Sequence, residues 1–223
     1  KGIVNMTHII VDFEMAPIEK QYLTRKSYCR SEIIEIGAVA ADDEGNEIDS
    51  FKAYIKPEYC ATLPVHIVNL TGIDYDRDLK DALPFIPVVS DFIKWCSDFG
   101  EFTVYSWSLS DYYQLSDEMG FKGLEDTEIT DYMFDNWVDF QDDFCYIADS
   151  EKQISLENAI IMSGIKFEGQ MHDALSDARN TALLFKLSLN QDDLIDRIES
   201  YKKKISSTET LTYTLADVIK TEQ

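Results

Sequence analysis

Apolar residues recur along the chain with two different periods. Thr7–Glu14 (THIIVDFE) is a β-branched, apolar run of strand length that ends in carboxylates. Ser31–Asp42 (SEIIEIGAVAAD) predicts a second strand, Asp43-Glu44-Gly45-Asn46 a turn, and the alternating run Glu47–Ile55 a third strand. Three such strands in succession make an antiparallel meander. Pro64–Thr71 predicts a short helix closed by Gly72. Within Asp81–Phe99 the apolar positions Phe85, Val88, Val89, Phe92, Ile93, Trp95 and Cys96 fall at helical spacing, with Pro84 and Pro87 at the start. Phe102–Trp107 predicts a strand, about Ser110 to Met119 a helix, and Thr127–Met133 a last strand. Two helices follow, Ser155–Ser163 ending at Gly164, and Asp173–Leu189. The succession predicts an α/β fold: a mixed sheet, three antiparallel strands and then further additions, with helices packed on its faces. Beyond Asn190, a charged helix (Asp192–Lys204) and a Ser/Thr-rich stretch predict a docked helix and a loose tail. We therefore divide the chain into a domain over residues 1–190 and a C-terminal helical extension over 191–223.

Composition narrows the function classes. The chain has 223 residues, 45% of them hydrophobic, enough for one full-sized core. Four cysteines (Cys29, Cys60, Cys96, Cys145) form no C-x-x-C pair, so reduced structural thiols are expected rather than a zinc site or a disulfide framework. No apolar run approaches the roughly 20 residues of a membrane helix, and a cytoplasmic protein without membrane contact is the expectation.

The net charge of −22 runs against a processive grip on long duplex nucleic acid, which is bound through many Lys and Arg contacts. The charge is uneven. Residues 101–150 hold thirteen acids and one base, Lys122, and so supply −12 of the total. Such a balance still suits an enzyme that holds a few nucleotides at a strand end through bound cations.

Three acidic constellations carry candidate chemistry. Asp12 and Glu14 stand two apart on the first strand, so both point to one face while Phe13 points to the other. Paired carboxylates at the end of a buried strand need a neutralising partner, and their oxygens suit Mg²⁺ or Mn²⁺. The second constellation is Asp111, four residues after Trp107, where the fourth strand hands over to a helix. That position also suits an acid that complements the helix dipole. The third is HDALSDARNTALLF, where His172 precedes a helix whose first turn carries Asp177 beside the small Ala174 and Ala178. An imidazole there can accept a proton at neutral pH, although a capping Asp173 beside a surface histidine would give the same pattern. Acids at the first strand's end, after the fourth strand and on a late helix can meet at one point of a mixed sheet.

Those motifs, in that chain order, resemble the DEDDh exonucleases of the ribonuclease H-like superfamily. The likeness runs over roughly residues 7–189: Asp12-x-Glu14 in IIVDFEMAP, Asp111 in SWSLSD, and H-x-A-x-x-D at His172, Ala174 and Asp177. The spacers IIEIGAV and VNLTGI (Val68–Ile73) are similar too. DFE and Trp107 lean toward the RNA-trimming branch, although Ser108 stands where that branch commonly has glycine. The resemblance implies 3′→5′ hydrolysis of phosphodiesters at single-stranded or frayed 3′ ends, RNA over DNA, with release of nucleoside 5′-monophosphates. It further implies two Mg²⁺ or Mn²⁺ ions held by Asp12, Glu14, Asp111 and Asp177, with His172 as general base. Terminal nucleotides would rest on Met15, Ala16, Leu70, Thr71 and Ile73, with Trp107 as a further substrate contact. Two alternatives stay open: a proofreading exonuclease that docks a polymerase partner through the C-terminal extension, and a catalytically weak binding module on the same fold.

Overall fold

The computed structural model describes residues 6–26 and 28–220. Strand β1 (Thr7–Pro17) is the central strand. A 3-10 turn at Lys20–Tyr22 and the single-turn helix α1 (Leu23–Lys26) lead into β2 (Ser31–Ala41), which returns antiparallel to β1; β3 (Glu47–Tyr54) then pairs antiparallel with β2. Next come α2 (Val65–Thr71), a π-helical turn at Tyr75–Leu79, α3 (Phe85–Ser97), β4 (Phe102–Ser106), α4 (Ser110–Lys122), α5 (Glu128–Asp135) and β5 (Trp137–Asp139). The remainder is helical: α6 (Phe140–Ile147), α7 (Leu156–Met162), α8 (Ala174–Ser188) and α9 (Gln191–Lys220). The sheet order is β3-β2-β1-β4-β5, with β4 parallel to β1 and β5 parallel to β4.

Alternation along β1 divides the interior in two. Ile9, Val11 and Phe13 face a core built with Phe85, Val89 and Phe92 of α3, Leu115 and Met119 of α4, and Met133 of α5. The intervening residues face α8, as the contact of the His8 ring with Phe185 shows (centroids 4.7 Å apart). On that side a second core joins Trp107, Phe140, Phe144, Leu184 and Phe185 to Leu194 and Ile198 of α9. The start of α9 is therefore seated on the rest of the fold through two fully buried aliphatic side chains.

Two expectations are corrected and one further helix is found. Thr127–Met133 is not a strand. Thr127 and Thr130 form a reciprocal capping box that starts α5 there, and the last strand is the three-residue β5 downstream. Thr, Ile and Tyr in this run mimic strand composition, but the cap and the apolar spacing of Ile129, Met133 and Phe134 decide for helix. Helix α6 had no counterpart in the sequence reading; it starts at Asp139, whose side chain caps Asp142 N–H. The backbone after Lys204, expected as a loose tail, stays helical to Lys220, and residues 221–223 lie outside the described part. Among the described residues no helix is long and apolar enough to cross a membrane.

Candidate active site

The site grows from the pairing of β1 with β2. In that ladder Asp12 stands opposite Gly37 and Glu14 opposite Glu35, so all four positions share the face covered by α8. A Cβ on Gly37 would lie 2.1 Å from the backbone of Ala174 and Leu175. Only glycine lets the first turn of α8 rest directly on the strand, and Ala174 is fully buried in that contact.

This close approach delivers the third motif. Asp173 caps α8 by accepting from Ser176 N–H, and Asp177 sits in the first turn, buried. Asp177 Oδ2 accepts from the backbone N–H of His172 (3.1 Å), while its Oδ1 is buried without a protein partner. His172 holds a left-handed backbone, φ 60, with an exposed side chain. Such strain on a residue with a Cβ persists only where its surroundings enforce it; here Asp173 is fixed by the helix and the amide of His172 by Asp177. One donor atom from each of Glu14, His172 and Asp177 lies within 4.8 Å of the others.

Asp111 arrives from the opposite edge of β1. Parallel pairing with β4 ends at Val11 and Ser106, which leaves the next inward amide, that of Phe13, without a ladder partner. Asp111, in the first turn of α4, supplies it: Oδ1 accepts from Phe13 N–H at 3.1 Å. The second carboxylate oxygen lies 3.4 Å from Ser110 Oγ.

Electrostatics shows the cost of gathering these acids. Burial, then Asp177, Glu35 and Asp111, push Glu14 up to about 8. Asp12 is raised well above the carboxylate range by burial and by Asp111, Asp177 and Glu14 in turn. Burial raises Asp111 to about 7 against the Phe13 N–H bond, and Asp177 to about 6 against the His172 N–H bond. Four carboxylates that resist ionisation together, one with an orphaned buried oxygen, fit a divalent cation site.

Two residues that the sequence reading passed over complete the site. Glu35, fully buried beside Glu14, accepts from Ala174 N–H (3.1 Å) and pairs with Lys52 Nζ at 2.8 Å. Lys52 also pairs with Asp173. One ammonium thus ties β3, β2 and the cap of α8 together, and the cap carries His172. Glu35 was legible only as an acid within the second strand; that it stands opposite Glu14 follows from the register. The partner Lys52 was not, because its role depends on the cross-strand register.

The nucleotide-contact candidates divide. Leu70 is 46% exposed at the end of α2, and Met15 is half-buried against the first core. Ala16 and Ile73 are buried in a third core. Thr71 is also buried: its hydroxyl donates to Ile67 O and accepts from Ile73 N–H. Its carbonyl accepts from Gln170 Nε2 (3.1 Å), which ties α2 to the loop carrying His172. Trp107 is placed differently from expectation. It packs against Phe140 and Phe144 and donates from Nε1 to Ile154 O, so its ring braces the second core and is not open to a base.

Comparison with known proteins bears on the same span. The RNase T family model, described as exonuclease, matches residues 9–185. The chain is 27% identical over 194 residues to ERI1 exoribonuclease 2 of Mus musculus, covering 79% of this chain and 27% of that protein. With ERI1 exoribonuclease 2 of Danio rerio it is 30% identical over 199 residues, 79% of this chain and 34% of that one. The chain thus spans between a quarter and a third of the length of these relatives. Among solved structures, the nuclease domain of 3′hExo, a DEDDh family member bound to rAMP, superposes with a TM-score of 0.69 at 20% identity, covering 85% of this chain and 94% of that one. The fold is the ribonuclease H-like one, as the motif order implied.

Proposed function

Because this chain belongs to the RNase T exonuclease family, we propose that it is a divalent-metal-dependent 3′→5′ exonuclease acting on single-stranded or frayed 3′ ends, RNA over DNA. The observation that carries the reading is the convergence of Asp12, Glu14, Asp111 and Asp177 from one strand and two helices, with Asp177 Oδ1 left free and His172 beside it.

In this reading Asp12, Glu14, Asp111 and Asp177 would hold two Mg²⁺ or Mn²⁺ ions. Bound there, the ions would offset the negative charge and polarise the phosphodiester. The chain's own residues do the rest. Asp177 holds the His172 backbone in place, and the His172 imidazole, open to solvent, takes the proton from the attacking water. Asp111 holds the end of β1 in register. Exposed Leu70 and the backbone at Met15 and Ala16 bound the space where the last nucleotide would lie, with Thr71 and Ile73 supporting that wall from behind. The excess of acids across the surface favours short or single-stranded substrates over long duplex.

The proposal extends to organisation and setting. Residues 1–190 would be the exonuclease domain and 191–223 an extension, helical as far as Lys220, that serves a protein partner. Four free cysteines, all buried, suit a reducing compartment such as the cytoplasm.

The test is a gel time course on 5′-labelled RNA and DNA of equal sequence, with Mg²⁺, Mn²⁺ or EDTA, beside Asp177→Asn and His172→Ala. The expected result is a metal-dependent ladder that shortens from the 3′ end and disappears in both variants. Turnover of Asp177→Asn at the wild-type rate would overturn the assignment.

A further inference from the structure

The loop between β1 and β2 carries a chemistry that the catalytic residues do not use. In a chain of net charge −22, residues 20–30 (KQYLTRKSYCR) hold Lys20, Arg25, Lys26 and Arg30 and no acid. The same loop joins a ladder of aromatic rings. Tyr22 meets Tyr59 edge-on at 5.3 Å, Tyr59 leans on Phe121 at 5.4 Å, and Phe121 lies nearly parallel to Tyr28, 13° apart with centroids at 6.5 Å. The Arg25 guanidinium lies 6.0 Å from the Tyr59 ring centre and 5.8 Å from that of Phe121. Tyr28 ends the ladder with 70% of its surface in water.

The rings stand on fixed supports. Tyr59 N–H and Glu58 N–H both donate to the buried Glu32 carboxylate, at 2.7 and 2.8 Å, and Tyr59 O accepts from Glu19 N–H. Phe121 belongs to α4, where its neighbour Lys122 is locked between Glu32 and Glu118. Of the local acids, Glu19 and Glu58 are engaged, while exposed Asp117 on α4 lies within electrostatic reach of Cys29. Glu19 accepts from Ala61 N–H and Gln21, and Glu58 lies 3.6 Å from Lys122. Folding alone does not call for an exposed tyrosine and a guanidinium on such a base.

We propose that Arg25, Tyr28, Tyr59 and Phe121 form a stacking platform for single-stranded nucleic acid upstream of the 3′ end. Aromatic faces take bases without regard to sequence and the basic loop tracks the phosphates, the pairing used by single-strand binding surfaces. The loop that carries the platform starts at Ile18, just past the end of β1 and four residues from Glu14, or about 13 Å at ~3.3 Å per residue. That span equals roughly four stacked nucleotides at ~3.4 Å each, so a trimer in the active site falls short of it. The placement rests on the exonuclease reading, and the experiment separates the two.

Binding of a 5′-fluorescein single-stranded 12-mer and of its abasic counterpart is followed by anisotropy in EDTA, where no hydrolysis occurs. Wild type is compared with Tyr28→Ala, Tyr28→Trp and Arg25→Ala, all at exposed positions. Catalysis is read separately, by metal-dependent hydrolysis of the p-nitrophenyl ester of thymidine 5′-monophosphate, which is too small to reach the platform. Tyr28→Ala is expected to weaken the 12-mer about 5- to 150-fold, the range for losing one stacked base. The same variant leaves the abasic strand and the ester unaffected, and Tyr28→Trp retains 12-mer binding. Arg25→Ala weakens both strands. Equal weakening of base-bearing and abasic strands by Tyr28→Ala, or no weakening of either, would overturn the platform. Lack of ester hydrolysis by wild type, with 12-mer binding still sensitive to Tyr28, would instead remove the catalytic reading and leave the platform standing.

Discussion

Replacing Gly37 by alanine probes the contact on which the site is built. The added methyl would lie 2.1 Å from the carbonyl carbon of Ala174 and the amide nitrogen of Leu175, about 1.3 Å short of ordinary contact at 3.4 Å. Both neighbours are backbone atoms in the first turn of a helix, so no rotamer change relieves the overlap. Either α8 lifts or β2 bows, and Asp177, three residues past Ala174, moves with the turn. Overpacking of this kind costs about 1–3 kcal/mol where side chains can yield; rigid backbone puts Gly37→Ala at about 3 kcal/mol or above. A displacement of roughly 1 Å at reacting groups costs on the order of 10²-fold in rate. Gly120, on an exposed face of α4 with nothing within 4 Å of an added Cβ, is the control. There alanine should stabilise the helix by about 0.5–1 kcal/mol and leave turnover unchanged. Urea unfolding at pH 7 and exonuclease turnover read both effects. If Gly37→Ala unfolds within 0.5 kcal/mol of wild type and keeps its activity, α8 does not depend on that glycine for its seat, and the account of how Asp177 reaches the site is wrong.

Three further outcomes are expected. Folded-state values of about 8 for Glu14, 7 for Asp111 and 6 for Asp177 lie above those of free carboxylates. The folded chain therefore binds more protons than the unfolded one, and in EDTA its stability should fall as pH rises from about 4.5 to 8. Millimolar Mg²⁺ or Mn²⁺ should restore most of the loss at pH 8; an apo melting midpoint that climbs over that window would refute the clustering. Glu14→Gln should then stabilise the apo protein at pH 8 while abolishing hydrolysis, by about 1–3 kcal/mol, since a proton on one acid relieves its neighbours too. Lys52→Met strips the buried Glu35 of its cation; with Lys52 itself a third exposed, the cost should be about 2 kcal/mol, below that of a fully buried pair. Glu35→Gln combined with Lys52→Met should recover part of it in the same urea titration, and a double variant no better than the single one would show that the pair does not act as a unit.

The sequence by itself determined which residues could carry the chemistry and on what kind of element each sits. Alternation in THIIVDFE put Asp12 and Glu14 on one face, and the helical period of DALSDARNTALLF placed Asp177 one turn in, because side-chain direction within one element follows from local geometry. It also determined the meander, through the turn at Asp43–Asn46. What it could not carry were the decisions made between elements. Thr127–Met133 has strand-like composition, and only the capping box and packing against the first core make it a helix. Trp107 stands beside a site motif in sequence, yet the second core takes up its ring. Glu35 and Lys52 join the site through strand register, and Asp111 through the amide left bare where β4 stops pairing with β1. The aromatic ladder draws its rings from three separate stretches of chain. Apart from the local Thr127–Thr130 cap, each is a contact between residues from about 17 to 140 positions apart, and local pattern carries no information about such pairs until the sheet has set their register.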